Sequence, residues 1–436
     1  MMVNDKYIGI SEYIRIVENF KGGTIIDASN NHLKSYEINP SGLEVILLCN
    51  GSRTKYQIIE ELKLKYAISD PELITLIAGF IDEHLHLHNL IEKVKKEEKA
   101  IFTWGSSRIV TPFYFSFELT NHCQFQCQHC FNSSGIPKGD EIGIEKFISI
   151  ADELIHLGAQ GAFVTGGEPL LKVGINDLLI FLLKNISSVT LATNAYGLTE
   201  ETLQVIQEAK NITVQVSIDG MEENHEKIRL IKGSFKKTVD NIKRLTSRGV
   251  SVVTAFTMND GNYIDLEKVI LLSEKIGCVG VNIGLTSSEG RAKENDISTG
   301  ISREFISIVQ ELNKKYTTDE FIVGMDINEG KIKEMADDIE YQNKCGAGYR
   351  GIHIMPNGDV TMCPATPKIR MGNVNEQSLK EILVFNNIEP LMNIPSPTRE
   401  KCGDCELYGS CGNCLANVLE KSVEECAIQR ELQKIS

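Results

Sequence analysis

Between residues 114 and 284, short β-branched or aromatic runs alternate with longer stretches whose apolar residues recur every three or four positions. Tyr114 to Leu119, Gly161 to Thr165, Val189 to Thr193, Thr213 to Ile218, Val252 to Thr257 and Val279 to Gly284 predict six strands. Ile144, Phe147, Ile148, Ala151, Leu154 and Ile155 predict a helix stopped by Gly158; Leu266, Val269, Ile270 and Ile276 predict another stopped by Gly277. This alternation predicts an α/β fold with a parallel sheet, open or closed into a partial barrel, whose chemistry sits at the carboxyl ends of the strands. Cys123, Gly166, Asn194 and Asp219 each fall just beyond a predicted strand and so share one rim.

The pattern before and after this core is different. Tyr13 to Val17, Thr24 to Ala28 and Leu33 to Ile38, punctuated by Gly22-Gly23 and Asn30-Asn31, predict a small meander. Three helices follow: Leu43 to Cys49, stopped at Asn50-Gly51; Lys55 to Tyr66, opened by a Thr54/Gln57 capping box; and one from Pro71 toward Ile91. Residues 1–92 thus outline a winged-helix-like α+β domain. The charged stretch Glu92 to Lys99 reads as the start of a linker over 93–110. The core then spans 111–300, a helical bridge (Ser302 to Tyr316, Lys331 to Glu340) spans 301–344, and a cysteine-rich region spans 345–436.

Composition narrows the class. The 436 residues are 42% hydrophobic and 24% charged, as in a globular protein long enough for several domains. No apolar stretch approaches the roughly 18 residues of a membrane span. The first residues lack a secretory pattern, so the cytoplasm is expected. With 45 basic against 59 acidic residues the net charge is -14, which argues against nucleic acid as a partner. The 12 cysteines cluster: Cys123, Cys127 and Cys130; then Cys345, Cys363, Cys402, Cys405, Cys411, Cys414 and Cys426; with Cys49 and Cys278 apart. In a reducing compartment, such spacings indicate soft-metal ligands rather than disulfides.

Cys123-x3-Cys127-x2-Cys130 follows a predicted strand with no fourth cysteine nearby. Three thiolates on a four-iron cube leave one iron open, as a cofactor-binding cluster requires. A Cys3His zinc site using His122 or His129 is the alternative, although zinc more commonly uses paired C-x2-C spacings. With Phe131 next to the third cysteine, this loop resembles the signature of the radical S-adenosylmethionine (SAM) superfamily. Gly166-Gly167-Glu168-Pro169 resembles that family's GGEP motif. Ser217-Ile218-Asp219-Gly220, followed by His225 and Arg229, resembles its fourth-strand segment.

The resemblance implies a partial (β/α)6 TIM barrel whose catalytic cluster is held by Cys123, Cys127 and Cys130, with Phe131 alongside. It implies that Gly166, Gly167, Glu168 and Pro169 receive the methionine amino group. Ser217, Asp219 and Arg229 would then meet the ribose and carboxylate, with Asn194 a further contact. The implied chemistry is one-electron cleavage of SAM to a 5′-deoxyadenosyl radical that abstracts hydrogen from carbon.

Cys345, Gly358, Cys363 and the Cys402-x2-Cys405-x5-Cys411-x2-Cys414 run with Cys426 resemble the SPASM extension with two auxiliary clusters. By that resemblance Cys402, Cys405, Cys411 and Cys426 hold one cluster, and Cys345, Cys363 and Cys414 the other. The missing eighth ligand falls to Cys278, another side chain, water or a substrate thiolate. In isolation, Cys402 to Cys414 also reads as a zinc ribbon. Sulfatase maturases carry Asp after the cysteine equivalent to Cys363. Here Pro364 follows, and Cys345-Gly-Ala-Gly-Tyr349 through Cys363-Pro364 resembles subtilosin-type thioether maturases. The first domain resembles a fused RiPP recognition element, which captures a leader peptide as an added strand near Thr24 to Ile38.

Together these resemblances imply a cytoplasmic peptide maturase that forms sulfur-to-carbon crosslinks, using SAM and three 4Fe-4S clusters. Its partners would be a precursor peptide held by its leader and a flavodoxin- or ferredoxin-type reductant, without nucleic acid or membrane. The alternatives are carbon-carbon crosslinking or epimerisation, sulfatase-type oxidation, and a zinc-bearing regulator. Three features stand outside this scheme. His84, His86 and His88 are expected on a solvated helix end or strand face, Cys49 and Cys278 as small buried hydrophobes, and Gly290-Arg291 as cavity lining or a surface turn.

Overall fold

The computed structural model describes residues 7–11, 14–19, 22–27, 34–86, 91–96, 103–105, 109–137, 139–286, 289–297, 303–325, 346–367, 369–384, 402 and 426. The chain divides into two compact units, 1–111 with 156–158 and 383–385, and the remainder.

The first unit contains β1 (Tyr7–Ile10), β2 (Ile14–Asn19), β3 (Gly22–Asp27), β4 (Lys34–Ile38), α1 (Pro40–Leu48), β5 (Asn50–Thr54), α2 (Lys55–Tyr66), α3 (Pro71–His86), β6 (Ile91–Val94) and β7 (Thr103–Gly105). The expected meander is present as β2, β3 and β4; Tyr13, Ala28 and Leu33 lie outside the described residues. The Thr54/Gln57 capping box closes in both directions, at 3.3 and 2.9 Å. Ile8, Ile16, Ile25, Ile46, Ile58 and Ile81 are buried in one core.

Three expectations need correction here. Asn50-Gly51 does end α1, but it also opens β5, which pairs with β1. Ile91–Val94 pairs with β1 and Thr103–Gly105 with β2, so the stretch read as a linker completes two sheets. Its charges fit because β6 is an edge strand, with Ile91 buried and Glu92 and Lys93 exposed. His84 is buried against the Phe80 ring (4.1 Å between centroids) rather than solvated, and His88 lies outside the described residues.

The second unit is built on one ten-stranded sheet ordered β14-β13-β12-β11-β10-β9-β8-β15-β16-β17. Its strands are β8 (Tyr114–Glu118), β9 (Gly161–Thr165), β10 (Ser188–Thr193), β11 (Ile212–Ser217), β12 (Ser251–Met258), β13 (Gly280–Leu285), β14 (Ile322–Met325), β15 (Gly351–Ile354), β16 (Asp359–Thr361) and β17 (Arg370–Asn373). The helices between are α4 (Ile144–His156), α5 (Ile175–Asn185), α6 (Glu200–Gln207), α7 (Glu222–Arg229), α8 (Ser234–Thr246), α9 (Leu266–Lys275), α10 (Gly290–Glu294) and α11 (Arg303–Tyr316). All six predicted strands are present and parallel. The sheet also gains β14, from the region expected to be helical, and β15 to β17, from the cysteine-rich region. Lys331 to Glu340 lies outside the described residues. No helix among the described residues is long and apolar enough to cross a membrane.

The two faces of the sheet differ. Phe117 meets Phe147 of α4 (5.0 Å between centroids), and its register row of Val164, Leu191, Val214 and Val252 is buried on that helix-bearing face. The alternate positions Thr190, Thr213, Gln215, Ser217, Val253, Ala255, Thr257 and Asn282 are half-buried, and Asn282 Nδ2 donates to Gln215 Oε1 (3.2 Å). This face is therefore partly accessible and largely polar, unlike the helix-bearing face.

On that same face His353 of β15 pairs in register with Ser116 of β8. His353 Nδ1 lies 2.7 Å from Ser116 Oγ and Nε2 lies 3.4 Å from Glu118 Oε2, all three residues being buried. This cluster ties the cysteine-rich region to the first core strand. His353→Leu strips both partners of a buried bond and is expected to cost about 1–3 kcal/mol. That loss would appear as a lower urea midpoint with unchanged slope; an unchanged midpoint would show that the cluster holds nothing.

Candidate active site at the carboxyl rim

The cysteine loop leaves the end of β8 and is closed on itself by Cys123 N–H donating to Gly135 O (2.8 Å) and Gly135 N–H to Asn121 O (3.0 Å). All three thiols are half-buried. Phe125 N–H points at Cys123 Sγ and Ser134 N–H at Cys130 Sγ, each at 3.4 Å, with Asn194 Nδ2 4.0 Å from Cys123 Sγ. Such N–H to sulfur contacts stabilise thiolates and tune iron-sulfur clusters. Burial pushes the Cys123 thiol up to about 12 and the Cys127 thiol up to about 11. These thiols ionise at neutral pH only when a metal supplies compensating charge.

The Gly-Gly-Glu-Pro segment packs directly against this loop. A Cβ on Gly167 would sit 2.5 Å from His122 O, and one on Gly166 would sit 2.9 Å from Thr120 O. Only glycine allows this approach. The nearby donors are already used: Gly167 N–H on Thr120 O (2.5 Å) and Glu168 N–H on His122 O (2.8 Å). Glu168 is fully buried, its Oε1 accepting from Thr193 Oγ1 (2.5 Å) and Leu170 N–H (3.1 Å) and its Oε2 from Asn194 N–H (2.8 Å). Burial pushes its carboxyl up despite these donors. Pro169, also buried, opens a short 3-10 turn. In this structure the segment shapes the loop and ties β9 to β10.

Arg229, expected to fork onto a cofactor carboxylate, forks onto Asp219: Nε at 2.8 Å and Nη2 at 2.7 Å, both on Oδ2. Asp219 Oδ1 accepts Thr257 N–H (3.0 Å). Burial would push the Asp219 carboxyl up, but the Arg229 guanidinium, with the Thr257 N–H bond, outweighs it and holds the group below its usual range. Burial pushes His225 down to about 3 and also lowers His129, so both rings favour the neutral form at pH 7. His129, a zinc-ligand alternative by sequence, has its Nε2 3.3 Å from Asp219 Oδ2 instead. Ser217 ends β11 and Asn194 follows β10, while Phe131 stands 40% exposed beside Cys130.

Among the described residues no three His, Cys, Asp or Glu side chains converge as a single metal ion would require. A four-iron cube instead spreads its thiolates over separate irons. The donor set of three thiols, N–H groups aimed at sulfur and a glycine-lined approach therefore fits an iron-sulfur cluster. Residues 117–273 match the radical SAM superfamily model, and residues 345–415 match the SPASM iron-sulfur cluster-binding domain. The chain carries a radical SAM domain and a SPASM domain. This radical SAM protein is 25% identical over 437 residues to the antilisterial bacteriocin subtilosin biosynthesis protein AlbA of Bacillus subtilis (strain 168), covering 95% of this chain and 93% of the relative. It is 27% identical over 285 residues to the sporulation killing factor maturation protein SkfB of the same strain, covering 65% of this chain and 68% of the relative. Streptococcus suis SuiB bound to S-adenosylmethionine shares its fold with a TM-score of 0.70 at 17% identity, covering 96% of this chain and 98% of that one. The zinc-bearing regulator is thereby set aside in favour of an enzyme.

The SPASM cysteines are only partly described. Cys363, Cys402 and Cys426 are half-buried, while Cys345, Cys405, Cys411 and Cys414 lie outside the described residues. Cys363 follows β16 and accompanies Thr366 (Sγ to Oγ1, 3.4 Å). Its neighbour Met362 accepts Gly348 N–H (3.1 Å), which sets it by the turn leading into Gly351, the register partner of Tyr114. Cys363 is therefore at the amino end of β8 and Cys123 beyond its carboxyl end. Cys278 is buried and precedes β13, far from the cysteine rim, as its expected packing role requires. Cys49 is likewise buried, its Sγ donating to Val45 O (3.3 Å). Gly290 and Arg291 do not form a surface turn; they contact the cysteine loop.

Proposed function

We propose that this radical SAM enzyme matures a ribosomal precursor peptide by joining a cysteine sulfur to a carbon of the same peptide. The observation that carries it is the placement of two cysteine sites at opposite ends of β8, roughly 15 Å of strand apart, with the polar inner face between them. A peptide lying along that face could offer a carbon to the Cys123 end and a thiol to the Cys363 end. With its cluster and SAM in place, the first site supplies a 5′-deoxyadenosyl radical that abstracts hydrogen from carbon.

The chain's own residues position this chemistry. Asn194 and the loop N–H groups steady the thiolates, Glu168 and the glycines fix the loop against β9, and the buried Asp219–Arg229 pair anchors α7 below it. Ser217, at the end of β11, and Phe131 are the remaining residues we assign to SAM contact. Cys345, Cys363 and Cys414 hold one auxiliary cluster and Cys402, Cys405, Cys411 and Cys426 another, making three clusters in all. With seven SPASM cysteines for eight positions, the cluster held by Cys345, Cys363 and Cys414 would leave a place for the substrate thiolate. Pro364 in place of an acid after Cys363 disfavours sulfatase-type oxidation, and the near full-length similarity to AlbA supports a bacteriocin-type precursor. The first unit, residues 1–92 by sequence, captures the leader. β4 is an edge of its sheet among the described residues, the position at which an added strand would extend it. A flavodoxin- or ferredoxin-type protein in the cytoplasm delivers the electron.

The test is anaerobic incubation with SAM, reductant and cysteine-containing peptides encoded beside the gene, followed by mass spectrometry and thiol counting. Each crosslink is expected to remove two hydrogens and one free thiol. A modified peptide of unchanged mass would indicate epimerisation, and a lost hydrogen pair with all thiols intact would indicate a carbon-carbon bond.

A further inference from the structure

The segment after β13 reaches the cysteine loop through a set of contacts the family motifs do not cover. Gly290 has a φ of +58°, and a Cβ there would collide with the carbonyl oxygens of Phe131 and Cys130. Arg291 donates its main-chain N–H to Cys130 O (2.9 Å), Nε to Cys127 O (2.8 Å) and Nη1 to Ser134 O (2.7 Å). Asn295 Nδ2 donates to Gln128 O (2.9 Å), and fully buried Ala292 anchors the short helix between them. Four carbonyls of the loop, at 127, 128, 130 and 134, are thus held by two residues of one segment, Arg291 and Asn295.

We infer that Arg291 is a positioning residue for the iron-sulfur cluster, its planar fork bridging the Cys127 and Ser134 carbonyls so that the three cysteines keep the spacing the cluster needs. A guanidinium suits this task because its donors diverge in a fixed plane; an ammonium on a flexible stem cannot span two carbonyls in one geometry. The cation also stabilises the reduced, more negative cluster, raising its reduction potential. Gly290 admits the close approach and Asn295 completes the grip. The inference rests on the assignment of Cys123, Cys127 and Cys130 as cluster ligands.

The experiment compares reconstituted wild-type, Arg291→Met and Arg291→Lys proteins under anaerobic conditions. It follows the SAM-responsive electron paramagnetic resonance signal during exposure to an iron chelator, and the midpoint potential of the same signal. Arg291→Met is expected to lose the signal about 10- to 100-fold faster, as when outer partners of metal ligands are removed, and to have a lower midpoint potential. Arg291→Lys is expected to restore the potential while losing the signal at an intermediate rate. Wild-type retention and potential in Arg291→Met would overturn the inference. If that variant does not fold, wild-type retention in Arg291→Lys overturns it alone. Cys127→Ala separates the two levels: a SAM-responsive signal surviving there would mean that the ligand assignment, not the clamp, has failed.

Discussion

Cys127→Ala is expected to reduce 5′-deoxyadenosine formation to the level seen without protein, with iron content lowered by the share of one cluster. The loop offers three thiols and no fourth cysteine, and the Phe125 and Ser134 N–H groups point at the Cys123 and Cys130 sulfurs. Two remaining thiolates leave two irons of the cube without protein ligands, and the open corner loses its meaning. Serine in place of cysteine would not rescue it, because a hard oxygen is a poor ligand for such a cluster. The readout is chromatography of the anaerobic SAM reaction, with the circular dichroism of the variant confirming the fold. Full turnover would remove Cys127 from the reaction.

The second large effect belongs to the buried charge pair beneath the loop. Asp219 is fully buried and Arg229 is 6% exposed, so Arg229→Met leaves a carboxylate without its principal counter-charge. Removing one member of a buried pair typically costs about 3–5 kcal/mol. Asp219→Asn is expected to be comparably harmful, and the double variant Asp219→Asn/Arg229→Met to lose less than the sum of the two. Denaturant midpoints of the four proteins measure this directly. The pH dependence has a definite sign. The folded Asp219 carboxyl lies below its ordinary value, so its contribution is fully present above the unfolded carboxylate range and is lost as pH falls through the lower folded value. Additive losses in the double variant would show that the pair is not a coupled unit.

Much of the core was visible in the residue pattern because its strands and helices are sequential neighbours. Burial of one strand face against helices writes itself into local periodicity, as Phe117, Val164, Leu191 and Val214 show. The pairing of β15 with β8 was not legible, because Ser116 and His353 are 237 residues apart and nothing local records it. β14 was hidden for a related reason: four residues after a helix carry too little pattern to announce a strand. At the site, the cysteine spacing and the glycine pair were legible as chemistry, whereas the partners of the charged groups were not. Arginine suits carboxylates, which points Arg229 toward a ligand, whereas it meets a carboxylate of the chain itself. Gly290-Arg291 offered a usable signal, a glycine-arginine pair just past the sixth strand on the same rim as Cys123. What was missing was the knowledge that the loop's carbonyls face it.

The most direct test is metal and spectroscopic analysis of anaerobically purified protein, reduced and examined with and without SAM. The account predicts iron and labile sulfide in excess of one cluster, and a paramagnetic signal whose shape changes when SAM binds. Stoichiometric zinc without labile sulfide, or a cluster signal indifferent to SAM, would contradict it.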